Sequence, residues 1–234
     1  MATKKYEFPS RGFHIVANKV GEADYFLNQL KDVQGDYDKF SYVLSAFVSA
    51  SRSITFSLQA VMSKYPGFDE WYLPHQESLK NNKLAKYFLE LRNYLQKVGE
   101  VPVGHTGTMK NGEIRHFSFF IDIESIKDTP DGEVTRLAKE YFVDILRIIE
   151  ACYKDYRVYV DPRVIFTTEG MSELGWSIED IEECVGLPRG YTDIEWEGDD
   201  KEYQRLETLR REYQGDELME QYFEKYEFYN TANK

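Results

Sequence analysis

Between Asp38 and Ser63 the chain sets Phe40, Val43 with Leu44, Phe47, Ser51, Ile54, Leu58 and Val61 at steps of three or four residues. This is the period of one helix face, sustained over about six turns. A stripe that long cannot be a strand. It demands other apolar helix faces to bury against, so the chain must build a bundle around it.

The rest of the first two-thirds supplies those faces. A helix is expected over about 22–34, with Tyr25, Phe26, Leu27 and Leu30 on its apolar side, and "GDYD" (35–38) follows with an N-cap in Asp36 or Asp38. Pro66-Gly67 ends the long helix. Pro74 starts the next helix or marks a joint, and "KNNK" (80–83) delimits it. From Leu84 to Val98, Tyr87, Phe88, Leu91, Leu95 and Val98 again repeat at helical spacing, closed by Gly99 and Pro102. A fourth helix is expected over about 131–155, from Val134 to Cys152.

Between the last two the period changes. "TMKNGEIRHFSFFIDIE" places Asn111-Gly112 between two extended runs, the strongest short hairpin signal. Phe117, Phe119, Ile121 and Ile123 alternate with His116, Ser118, Phe120 and Asp122. After residue 156, "RVYVDPRVIFTTEG" reads as extended and "SIEDIEECVG" as a short helix capped by Ser177. A helical stretch over about 199–227 is broken at Gly215. The expected fold is therefore mainly α: an antiparallel helical bundle with an inserted β-hairpin and a helical C-terminal extension. In domain terms, residues 1–156 form the bundle with its hairpin near 106–123. Residues 157–234 form an acidic extension, mostly helical, packed on that bundle.

Composition narrows the function classes. With 42% hydrophobic and 15% aromatic residues in 234, a core is readily filled. No apolar run approaches the roughly 20 residues needed to span a bilayer, so no membrane association is expected. The N-terminus has no apolar core of a signal peptide, and two cysteines, Cys152 and Cys184, are too few for a disulfide framework. A cytoplasmic location is expected. Of the net charge of −12, Asp193 to Glu227 contributes −8, with thirteen acids against five bases. Such a chain repels a duplex phosphate backbone, which argues against extensive duplex DNA binding. The acidic stretch serves as a solvated helix face or as a docking surface for a basic partner.

Catalytic signatures are few. His14, His75, His105 and His116 form no HExxH pair, and no Cys/His cluster has metal spacing. Asp69, Glu70, His75 and Glu77 are neighbours in sequence without that spacing. No Walker A, GxGxxG or GxSxG motif occurs, so no cofactor is expected. "GMSELGWSIEDIEECVGLPRGYTD" has the rhythm of a helix–turn–helix, but its second helix offers Glu179, Asp180, Glu182 and Glu183 where a DNA reader needs bases and amides.

There remains Arg92-Asn93, at the border of the apolar face of its helix. A border arginine buries its stem while its head stays wet or pairs with an acid. Arg52 stands in a similar place on the long helix, and two such arginines on facing helices would make an anion-binding site.

A long bundle helix followed by one bearing "LRN" resembles the HEPN superfamily of prokaryotic helical-bundle proteins. That family's signature is an arginine, usually followed by a polar residue, and a histidine with four to six residues between them. The resemblance implies a homodimer that cleaves RNA without metal, often within a toxin–antitoxin or phage-defence system. Arg92 and Asn93 match the first half of the motif. The histidine is missing: Lys97, Val98 and Gly99 stand in its place, and the next is His105. An RNase without metal needs a group that moves a proton near neutral pH. Lys97 can hold a phosphate, but as a base it needs a strongly lowered pKa.

Three readings follow. In the first the chain is a non-catalytic HEPN-like protein that binds a partner protein or RNA, in a stress or defence setting. In the second it is a metal-independent endoribonuclease, with Arg92 and Asn93 joined by Lys97 or His105. In the third it is a plain scaffold or interaction protein. The missing proton-transfer group favours the first over the second.

Overall fold

The computed structural model describes residues 12–196, 200–213 and 218–228. The protein is mainly α with an inserted two-stranded hairpin. The described residues divide into two compact units, one spanning Ile15–Ile149 and the other comprising the described residues on either side of it.

In the Ile15–Ile149 unit the first helix, α1 (Phe13–Asp32), starts well before the expected residue 22. Val16, Ala17, Val20, Ala23, Leu27 and Leu30 are its buried stripe, whereas Tyr25 is 58% exposed. Leu27 and Leu30 are buried as expected and Tyr25 is not; Val16, Ala17, Val20 and Ala23 complete the contact. The long stripe is α2 (Tyr37–Met62), and Asp36 is its cap, accepting the Lys39 N–H at 3.1 Å.

Helix α3 (Phe68–Asn81) corrects the reading of Pro74, which lies inside the helix rather than at its start. Asn82 both ends α3 and caps α4 (Lys83–Val98): its Oδ1 accepts the Ala85 N–H at 3.1 Å. Its Nδ2 donates to Asp144 of α5 (Val134–Asp155) at 2.8 Å, tying the α3–α4 junction to that helix. Gly99, at φ 82°, terminates α4, and Val98 is exposed rather than buried. The core is aromatic, with Phe88 stacked on Tyr141 at 4.5 Å and edge-on to Phe47 at 6.2 Å.

The other unit corrects a larger misreading. "RVYVDPRVIFTTEG" is not extended but helical: α6 (Arg157–Val160), a 3-10 turn (Pro162–Phe166) and α7 (Thr168–Leu174). Capping decides this. Asp161 accepts the Arg163 N–H at 3.0 Å, and Thr167 accepts the Gly170 N–H at 3.1 Å. Gly170 is required there, because a Cβ would stand 1.9 Å from the Val164 carbonyl oxygen. Helix α8 (Ile178–Cys184) opens on a full capping box, Ser177 with Asp180. It packs with α9 (Lys201–Glu212) around Ile165, Phe166, Met171, Ile178, Ile181, Leu206 and Leu209. The last helix is α10 (Leu218–Lys225), and the expected break at Gly215 lies outside the described residues.

Among the described residues, no helix is long and apolar enough to cross a membrane. None of their His, Cys, Asp and Glu side chains form a group of three able to hold a metal ion.

Candidate functional site

The hairpin pairs β1 (Val103–Lys110) with β2 (Glu113–Phe120) in antiparallel register, Val103 opposite Phe120 and Lys110 opposite Glu113. Asn111 and Gly112 turn it with φ of 55° and 82°, the two positive angles a tight type I′ connection requires. The alternation along β2 therefore sorts its side chains onto two faces.

One face carries Val103, His105 and Gly107 opposite Phe120, Ser118 and His116. Phe120 and Ser118 are buried, and Phe120 packs on Tyr87 at 4.8 Å and on Phe88 at 5.9 Å. His105 shares a 2.9 Å hydrogen bond with the Ser118 hydroxyl through Nδ1. Its ring stands edge-on to Tyr37 and to Phe40, each at 5.1 Å, and its Nε2 is buried without a partner among the described residues. Burial, and after it the charge of His116, lowers the His105 pKa.

The opposite face carries Gly104, Thr106 and Thr108 opposite Phe119, Phe117 and Arg115. Here the aromatics point outward: Phe117 is 39% and Phe119 is 44% exposed. Neighbouring Ile121 is exposed too. The far end of the Phe119 ring covers Gly104, where a Cβ would lie 2.5 Å from Cζ. Small residues on β1 thus leave both rings uncovered. The hairpin directs a polar His–Ser pair inward and two phenylalanines outward.

Beside β2 lies a cleft of about 420 Å³ lined by Lys31, Asp32, Gln34, Gly35 and residues Ile114 to Phe117 of the strand. Lys31 and Arg115 are exposed, and neither forms an ion pair in the described structure. Gln34 is fixed by hydrogen bonds to Glu133 and Thr135, at 3.1 and 3.2 Å, which holds the α1–α2 connection in place.

The residues singled out from sequence are not assembled into one centre. Arg92 is half-buried with its Nε lacking a partner among the described residues, and Nη1 donates to its neighbour Asn93 at 3.3 Å. Lys97 is exposed on the last turn of α4. His105 has its contacts with Ser118, Tyr37 and Phe40, and no hydrogen bond among the described residues links it to Arg92. Arg52 donates to Thr55 at 3.1 Å and lies 4.3 Å over the Phe56 ring, sharing no partner with Arg92. Its charge also reaches Tyr141, whose phenol pKa is pushed up to about 12 by burial against that opposing effect.

Sequence reasoning passed over the outer face of the hairpin. Alternation showed that two faces exist, but Phe117 and Phe119 look like core residues until the partner strand is known.

Over residues 14–110 the chain is similar to the family described as bacteriophage lambda protein ea47. That span runs from α1 to the end of β1 and stops before β2, covering less than half of the 234 residues. No curated protein and no solved structure matches the chain.

Proposed function

We propose that this chain is a non-catalytic, HEPN-like helical protein of the cytoplasm that binds a partner protein or RNA through the outer face of its hairpin. One observation carries the reading: Phe117 and Phe119 are held outward while His105 and Ser118 are turned in. Apolar surface kept on a rigid, exposed element marks a binding face more often than a packing error. Catalysis has less support, because the half-buried His105 is engaged by Tyr37, Phe40 and Ser118 and shares no bond with Arg92 among the described residues. General acid–base chemistry needs its groups within hydrogen-bond reach of one reacting centre.

Two arms test this. Labelled RNAs incubated without metal should stay intact with the wild type and with Arg92→Ala; cleavage that vanishes in the variant would make the chain a nuclease. A photoreactive phenylalanine analogue at position 117 of the full chain should crosslink to a macromolecule in bacterial cells, and one at exposed position 42 should not. Absence of any product from position 117 ends the binding reading.

A further inference from the structure

We infer that the outer face of the hairpin and the cleft beside it form a binding site for single-stranded RNA, in which Phe117 and Phe119 stack bases while Lys31 and Arg115 hold phosphates. The inference rests on the binding reading above and names its ligand.

The spacing supports it. Residues two apart on a strand stand about 7 Å from each other on one face. A single nucleic-acid strand opened to about twice its stacked rise of roughly 3.4 Å brings successive bases to that interval. Phe117 and Phe119 are such a pair, and neither ring has an aromatic or cationic partner among the described residues. The Phe119 ring covers Gly104, with no side chain there to lift it off the sheet. Its outer side is the platform on which a base stacks, independent of which base it is.

Charge supports it as well. The protein carries −12, yet this cleft presents two exposed cations, Lys31 and Arg115, without ion-pair partners among the described residues, against one acid, Asp32. Arg115 and Phe117 line the cleft and also belong to the outer face, so phosphate donors and stacking rings are continuous. An acidic peptide would answer to the cations but leave the two rings without a role. A second copy meeting the first across a two-fold axis would set like charges against each other. RNA is favoured over DNA by Thr106 and Thr108. Both are exposed beside the rings, and neither hydroxyl has a partner among the described residues, so they can reach a 2′-hydroxyl.

The test is a fluorescence-anisotropy titration of the full chain. Its probes are a labelled single-stranded RNA of about 10 nucleotides, the matching DNA strand and the RNA duplex. Wild type should bind the single-stranded RNA with a Kd of about 10 µM at low salt, the DNA more weakly and the duplex weakest. Phe117→Ala and Phe119→Leu should each weaken binding about tenfold, while Phe117→Trp keeps or tightens it. Phe119→Leu retains apolar cover over Gly104, so its loss reports stacking rather than folding. Arg115→Ala should make the dependence of log K on log salt shallower by about 0.7. No binding by the wild type, equal binding of duplex, or an unchanged affinity in both ring variants overturns the inference. So does complete competition by polyglutamate. A position-117 crosslink that contains protein and no RNA refutes it too, while leaving the wider binding reading intact.

Discussion

One buried carboxylate belongs to a residue that the sequence marked only as unfavourable for DNA. Glu182 is fully buried, and its carboxylate accepts the Thr192 N–H at 2.7 Å and the Thr192 hydroxyl at 2.6 Å. It also accepts the Gly190 N–H and an Arg205 N–H, the latter at 3.3 Å. Arg205 in turn reaches Glu179 at 2.7 Å, and Arg189 joins Asp180 and Glu183. Burial opposes ionisation of Glu182, but the bonds from Thr192, Gly190 and Arg205 outweigh it and hold its pKa below the ordinary 4.5. A carboxyl whose folded pKa is depressed binds fewer protons folded than unfolded. Its stabilisation is therefore complete above about pH 4.5 and is lost as pH falls through the lowered value. Glu182→Gln should cost about 3 kcal/mol in urea unfolding at neutral pH, since it removes one of the two carboxylates that pair with the buried Arg205 and breaks the bonds to Gly190 and Thr192. It should also flatten the acid limb of the stability profile. A variant as stable as wild type at pH 7 would show that the network contributes little.

At the scale of elements, the hairpin separates what pattern can and cannot reveal. Asn111-Gly112 and the period of two predict a hairpin, and both are visible in the sequence because they are local. Which face turns inward depends on Tyr37, Phe40, Tyr87 and Phe88, elements distant in sequence. Gly104 makes the outer face possible. A methyl group there would stand within 2.5 Å of the Phe119 ring, so Gly104→Ala must displace it. The expected result is a hairpin that still forms, since its turn is untouched, with altered chemical shifts confined to Phe119 and its neighbours. Spectra identical to wild type would show that the ring does not lie where Gly104 admits it. The misreading of residues 157–170 has a related cause: the stretch reads as extended, but the caps of Asp161 and Thr167 make it helical.

At the scale of the molecule, Arg92 and Lys97 end up on α4, Arg52 on α2 and His105 on β1, and Arg92, Arg52 and His105 each have a different partner. The HEPN resemblance implies a homodimer, and sedimentation velocity at neutral pH should give twice the chain mass of 27.6 kDa. A single monomer boundary across concentration would remove that expectation. The sequence by itself determined that the protein is mainly helical, where the helices α2, α4 and α5 lie and where the hairpin turns. Those features follow from periodicity, caps and turn residues acting within a few positions of each other. Only the tertiary structure decided that a polar His–Ser pair faces in while two phenylalanines face out. It alone also brought a buried carboxylate together with residues eight to twenty-three positions away. Burial is settled by what packs against a face, and a strand's alternation is the same whichever side is covered.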